Sequence, residues 1–500
     1  MYSIYSKGDE PLLKLFEQVK DPAKILCVAI DYAKAKHVIL FCNGVGEVLK
    51  HSFAVENSAA GLEQLLAQMQ ATCHHRGILP KHVLCGGEDS PAYAANFTAA
   101  LSQKKFLVVR VSASEAKTQR QNFQASNDNL DLYGMVACLI TRRGRLLAIQ
   151  NQEYAQLRIL VRERDYLVRC QTALTNRFYP HVDQLFPGFL QPASAVVTPF
   201  GPACLWLLEH DFSAPQIARR ASQRLVQGLK KHRVPEPDKA VEELQELARQ
   251  ALPPRAQTLG PCQISLAQLV PLRRGLQDAV QNLDRHIGRT LARTPAAVLT
   301  SIPGIGVTLA AGLGAEVGVL ARLPSLDSLG SYAGIVPCTT QSGGPDQPPV
   351  TGHKSRQVNK RLKCCLMLGG EHMAAIQDSQ AQRLRQRAEE KKQHACALLA
   401  KHLAGLARSL LQRQTIYLPP ELYDPSSAPY DRAQYYQTLW PKWLEKWKTS
   451  GADLHEVFAA TTPLGQWRTM VCQVHKLSLP LPGSAQQIHL CSQAKHTASA

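Results

Sequence analysis

Six consecutive apolar residues, Ile25-Leu-Cys-Val-Ala-Ile30, run directly into Asp31. An uninterrupted run of this length, followed by polar residues, reads as a strand buried on both faces. Asp31, at its C-terminal end, is then either a turn former or a carboxylate held at the rim of a sheet. In open α/β sheets that rim is where ligands bind. Other carboxylates at the same rim would decide between the two readings.

The following residues supply the rest of a sheet. His37–Cys42 and Val48–Val55 are strand candidates separated by the turn sequence Asn43-Gly-Val-Gly46. Asn57 is a candidate cap for a helix whose Leu62, Leu65, Leu66 and Met69 share one face. Val83–Gly87 forms a fourth strand ending at Glu88, a helix carries Tyr93, Phe97 and Leu101, and Phe106–Val111 is a fifth strand. Three meandering strands, then helix, strand, helix and strand, is the order of an RNase H-like (RuvC-like) α/β domain. Ser126 then caps a helix bearing Asp128, Asp131, Met135, Val136, Leu139 and Ile140. Acidic residues in a first turn suit the helix dipole, but their three-residue spacing also puts both carboxylates on one face.

Residues 1–23 read as a polar lead-in and 24–150 as the α/β domain. A helical, coiled-coil-like region follows over 151–295, with long helices from Gln152 to Phe189 and from Ser265 to Arg293, the second interrupted near its start by Pro271. Residues 296–380 form a further compact, mainly helical unit. Residues 381–500 are a C-terminal extension without an assigned role, opening on one long helix, Gln382–Gln414, and ending in a polar tail expected to be disordered after about 482.

The formal charge of +18 points to a polyanionic partner, most often nucleic acid. No apolar run approaches the length of a membrane span, and the first residues lack the apolar core of a secretory signal, so a cytoplasmic protein is expected. Fourteen scattered cysteines without a Cys-x-x-Cys pair argue against a disulfide framework and a structural zinc.

Three constellations carry chemistry. Asp31 and Glu88 end strands that neighbour each other in an RNase H-like sheet, and the helix with Asp128 and Asp131 packs on the same rim. Four converging carboxylates repel one another unless cations intervene, so the set suits one or two Mg²⁺ ions clamping phosphodiester oxygens. Second, Ile302-Pro303-Gly304-Ile305-Gly306 between helices resembles the hairpin of helix-hairpin-helix motifs, whose backbone N–H groups approach a phosphate; a tight turn needing glycine is the alternative. Third, Ser342 precedes Gly343 in a polar loop that leads to His353, Lys354, Arg356, Lys360, Arg361 and Lys363, a basic helix start suited to a phosphate backbone. A serine before two glycines is by itself a turn residue, and no Ser-His-Asp arrangement accompanies it.

Taken in order, these motifs resemble the IS110-type insertion-sequence transposases, the RNA-guided bridge recombinases. The resemblance spans roughly residues 24–376. It rests on Ala29-Ile-Asp31, Phe53–Asn57 with Gly61, Glu88 with Tyr93, Asp128-x-x-Asp131, Ile302–Gly306, Tyr332-x-Gly-Ile-x-Pro337, Ser342-Gly343, and Gly352-His-x-Ser355 with Asn359 and Leu362. Departures are Pro91 and Val358 where glycine is common, and Ser126 and Arg356 where lysine is common. The resemblance implies a bacterial, nucleoid-associated recombinase that acts on the DNA of element ends and target as a homodimer or homotetramer. A structured guide RNA would pair with both DNAs. Asp31, Glu88, Asp128 and Asp131 would hold two Mg²⁺ ions, and Ser342 would form a transient link to DNA. Alternatives are a RuvC-like Mg²⁺-dependent nuclease or junction resolvase, and a non-catalytic nucleic-acid-binding relative.

Overall fold

The computed structural model describes residues 9–482 except 89–92, 121–127, 147–151, 192–196, 211, 321–322, 338, 341–349, 353–357, 377–378, 393 and 423–428. The chain divides into two compact units, Met1–Ile149 and Gln150–Ala500.

The first unit is α/β. Its elements are α1 (Glu10–Gln18), β1 (Leu26–Asp31), β2 (Lys36–Asn43), β3 (Val48–Glu56), α2 (Ala59–Arg76), β4 (Val83–Glu88), α3 (Ala95–Gln103), β5 (Leu107–Val111), α4 (Ala113–Gln119), α5 (Asp128–Ile140) and β6 (Arg145–Leu146). The strands form one mixed sheet in the order β3-β2-β1-β4-β5-β6, the RNase H-like arrangement expected from the sequence. β1 pairs antiparallel with β2 and parallel with β4.

Its central position explains the apolar run. Cys27 and Ala29 pack into a core shared with α1, α4 and α5, while Leu26, Val28 and Ile30 pack into one shared with α2 and α3. A strand covered on both faces has no polar side to alternate. The segment expected to be a polar lead-in therefore carries a structural helix: Leu12, Leu15 and Phe16 of α1 are buried on the first of these faces. Ser58, not Asn57, caps α2, its hydroxyl accepting from the Gly61 N–H at 3.1 Å. The Asn57 side chain instead donates to the Lys34 carbonyl.

The second unit is mainly helical: α6 (Gln152–Leu185), α7 (Pro202–Glu209), α8 (Ala214–Arg219), α9 (Ser222–Lys231), α10 (Pro237–Gln250), α11 (Ala256–Ala292), α12 (Val307–Val317), α13 (Leu326–Ala333), a ribbon of β7 (Thr339–Thr340) and β8 (Val350–Thr351), then α14 (Lys360–Ala375), α15 (Ser379–Glu390), α16 (Ala395–Arg413), α17 (Pro429–Thr449), α18 (Leu454–Val457) and α19 (Pro463–His475). The long helices α6 and α11 pair within the chain and are tied by Arg164 and Asp284. Pro271 does not interrupt α11, which runs through both Pro261 and Pro271; packing against α6 outweighs the missing N–H groups. The single helix expected over Gln382–Gln414 is two, α15 and α16. The tail after 482 lies outside the described residues.

Two apolar cores are strung along the α6–α11 pair. One joins the end of α6 and the start of α11 to α7–α10. The other joins Tyr154 and Leu157 of α6 and the end of α11 to residues 296–336, α14, α16 and the tryptophans of α17. Residues 395–481 thus help build the core that supports the Ile302–Gly306 turn.

In the first unit a tight approach is at Gly87, beside the end of β1. A Cβ there would lie 2.0 Å from the Ile30 carbonyl oxygen and 2.6 Å from the Tyr32 ring, and one at Gly86 would lie 2.5 Å from Leu139 of α5. Since the backbone oxygen cannot move aside cheaply, Gly87→Ala is expected to lower stability by about 1–3 kcal/mol, measured as the shift in urea-denaturation midpoint at unchanged slope.

Candidate active site and nucleic-acid interface

Parallel pairing puts Ile30 opposite Gly87, so Asp31 and Glu88 leave the sheet from adjacent strand ends. Asp128 begins α5 and Asp131 follows one turn on; the helix lies against β1, with Leu132, Met135 and Leu139 buried. The side chain of Asp128 is outside the described residues. Asp131 is ion-paired with Arg120 at the end of α4.

The charges of Asp31 and Asp131 act on Glu88. Burial pushes the Glu88 carboxyl above its ordinary range, and the charges of Asp131 and Asp31 push it the same way, with Arg120 opposing. Among the described residues, no three His, Cys, Asp or Glu side chains stand close enough together to hold one metal ion. Behind Asp31, a buried cluster sets the direction of the chain. The Tyr32 and Phe97 rings meet the His37 ring at 5.4 and 4.5 Å, and His37 Nδ1 accepts the Ala33 N–H at 3.2 Å.

The Ile302–Gly306 turn sits between a 3-10 segment, Pro295–Ser301, and α12. Ile302 and Ile305 are fully buried, whereas Pro303, Gly304 and Gly306 are half-exposed. Gly304 has φ +76°, and a Cβ there would meet the His372 backbone at 2.8 Å; the space beside Gly306 is open. One edge of the turn is therefore packed on α14 while the start of α12 remains accessible.

The β7–β8 ribbon pairs Thr339 with Thr351 and brackets residues 341–349. Ser342 and Gly343 fall in that bracket, and His353, Lys354 and Arg356 just beyond it, all outside the described residues. Lys360 and Arg361 are exposed at the start of α14, with Arg361 3.7 Å from Asp165, and Lys363 is half-buried.

Asn359 organises this helix start. Its Oδ1 accepts the Leu362 N–H as N-cap, while its Nδ2 donates to Glu316 Oε2 and to the Tyr332 hydroxyl, both at 2.9 Å. Glu316, 1% exposed in α12, also receives two 3.0 Å hydrogen bonds from Arg162 of α6. Burial alone would raise its pKa, but the hydrogen bonds from Arg162 and Asn359 and the charges of Arg162 and Arg158 hold it below the ordinary carboxylate range.

Comparison with known sequences decides the family. Residues 28–187 match the DEDD transposases of the IS110 type, and residues 296–387 match the transposase IS116/IS110/IS902 family. The chain belongs to the IS110 family of transposases. It is 28% identical over 288 residues, 55% of this chain and 67% of the relative, to the insertion element IS110 uncharacterized 43.6 kDa protein of Streptomyces coelicolor. A transposase of this family is a DNA-binding enzyme, and among the described residues no helix is long and apolar enough to cross a membrane.

Three participants in these two regions of the transposase escape sequence reading. Arg120 neutralises part of the rim, and Arg162 and Glu316 fix Asn359 from elements remote in sequence. A single acid in the apolar stretch Leu313-Gly-Ala-Glu-Val317 is the one signal available, since a charge at a helix position flanked by buried residues demands a partner.

Two outcomes follow from these charges. Glu88→Gln removes a like charge from a crowded rim and is expected to raise the thermal midpoint at neutral pH, as scanning calorimetry would register. Arg162→Ala leaves a buried carboxylate short of its cation and is expected to cost roughly 3 kcal/mol at neutral pH. Because Glu316 is depressed in the folded state, its contribution is present above the unfolded carboxylate pKa and is lost as pH falls through the folded value. The Arg162→Ala deficit in denaturation midpoint should shrink along that descent.

Proposed function

We propose that this IS110-family transposase excises and inserts its element by Mg²⁺-assisted DNA cleavage and rejoining through a serine–DNA link, guided by a structured RNA. The observation carrying the reading is that Asp31 and Glu88 end adjacent parallel strands and that the charge of Asp131, one turn into the helix that Asp128 opens, acts on Glu88. A half-buried Glu88 carboxyl pushed up by burial and by the charges of Asp131 and Asp31 belongs to a donor set of hard oxygens that suits Mg²⁺. Asp31, Glu88, Asp128 and Asp131 would hold the ion or ions. Bound there, Mg²⁺ supplies charge that polarises the scissile phosphate and stabilises its extra negative charge.

In this reading the Ser342 Oγ attacks phosphorus. The Oγ–P bond forms, the bond from phosphorus to the sugar oxygen breaks, and the departing oxygen takes up a proton while the serine loses one. One ester is exchanged for another, so rejoining needs no outside energy. The basic start of α14, held by Asn359, and the accessible edge of the Ile302–Gly306 turn contact phosphates. The guide RNA and the homodimer or homotetramer are supported by the family resemblance.

Strand exchange on a plasmid carrying the element ends should fall to background with Ser342→Ala and with Asp31→Ala, while mobility shifts with DNA and RNA change little. Wild-type protein should trap a covalent protein–DNA adduct that Ser342→Ala does not form. Cleavage without an adduct would identify a water-using RuvC-like nuclease instead.

A further inference from the structure

The C-terminal extension contributes one cation to the heart of the Ile302–Gly306 turn. Lys446 of α17 donates from Nζ to the carbonyls of Thr300 at 2.8 Å, Ile302 at 3.1 Å and Ile305 at 3.1 Å. An ammonium has three N–H donors, and these three acceptors use them all. The same helix donates the Trp443 Nε1–H to Thr300 Oγ1 at 2.7 Å, and the Tyr417 N–H donates to Ser301 Oγ at 2.8 Å. Burial draws the Lys446 pKa down to about 8, which leaves it mainly charged at neutral pH.

Three main-chain carbonyls aimed at one point, at separations suited to an ammonium, are the makings of a monovalent-cation site. Left empty, they would be partly buried acceptors pointing at one another. We propose that the carbonyls of Thr300, Ile302 and Ile305 form a monovalent-cation cage that the chain fills with its own Lys446 ammonium, fixing the turn for contact with nucleic acid. The last clause rests on the function proposed above; the cage itself does not. With every N–H engaged by the turn, Lys446 is a positioning residue and does not reach phosphate through a free donor. The role this gives to residues 395–481 is to complete the turn from outside the segment that forms it.

The test compares Lys446→Ala, which opens the cage, with Lys446→Met, which keeps most of the stem but fills the space with an uncharged group. Thermal midpoints are measured in ammonium or potassium chloride against tetramethylammonium chloride at equal ionic strength. Ammonium and potassium should raise the midpoint of Lys446→Ala selectively, leaving Lys446→Met and wild type unmoved. If Lys446→Ala does not fold in tetramethylammonium, recovery of folded protein on refolding with ammonium is the readout, and the same selectivity is expected. An equal response of all three proteins, or no gain with ammonium, overturns the cage. Duplex DNA binding by Lys446→Ala should weaken roughly tenfold, the scale of a lost set of charge-assisted hydrogen bonds, and recover with ammonium. A midpoint that responds while DNA affinity never changed upholds the cage and removes the turn from the nucleic-acid interface.

Discussion

Parallel pairing of β1 with β4 is the constraint from which the N-terminal unit follows. It places the chain's most apolar run in mid-sheet and brings Asp31 and Glu88 out side by side. The close approach is available because Gly86 and Gly87 remove the side chains that would hold Leu139 and Tyr32 away. The same proximity makes the rim electrostatically costly, since burial and neighbouring carboxylates all oppose ionisation of Glu88. Arg120 offsets part of this through Asp131. A fold that tolerates such crowding gives up stability at this rim.

The helical unit uses charge in the opposite sense. Glu316 is nearly inaccessible yet held in its ionised form, because a bidentate arginine and an asparagine amide meet it with good geometry. A buried pair of this kind is poor value as stability, since two apolar residues of the same shape would serve as well. Its use here is geometric. Asn359 can cap α14 in one orientation only while also reaching Glu316 and Tyr332, so the first turn of the basic helix has a defined direction.

Much of the sheet was legible because its signals are local. A continuous apolar run, a glycine-rich turn and periodic leucines report on their immediate neighbours; β1, β2, β3, β4 and β5 stand within a residue or two of where those signals put them, and α2 includes all of the leucines that mark it. The placement of Asp31 and Glu88 at adjacent strand ends, and of Asp131 in the first turn of a helix lying against β1, was legible by topology. What stayed hidden depends on partners far away in sequence. Leu12, Leu15 and Phe16 mean little without the sheet face they cover, Glu316 needs Arg162 154 positions earlier, and Pro271 looks like a break until α6 is seen supporting α11. The divide between α15 and α16 was missed because the charged stretch before His394 has no proline or glycine to mark it.

The hydrogen bonds from Lys446 span 141–146 residues of chain, and that separation has a consequence in time. At a synthesis rate of 5–20 residues per second, the carbonyls of Thr300, Ile302 and Ile305 wait on the order of ten seconds for the side chain that satisfies them. During that interval the surrounding core lacks Trp443 and Trp447 as well. The nascent protein therefore passes through a stage in which its sheet unit is already complete while the turn is not. Maturation of the two units is ordered by translation itself, the turn waiting on a helix made well after it.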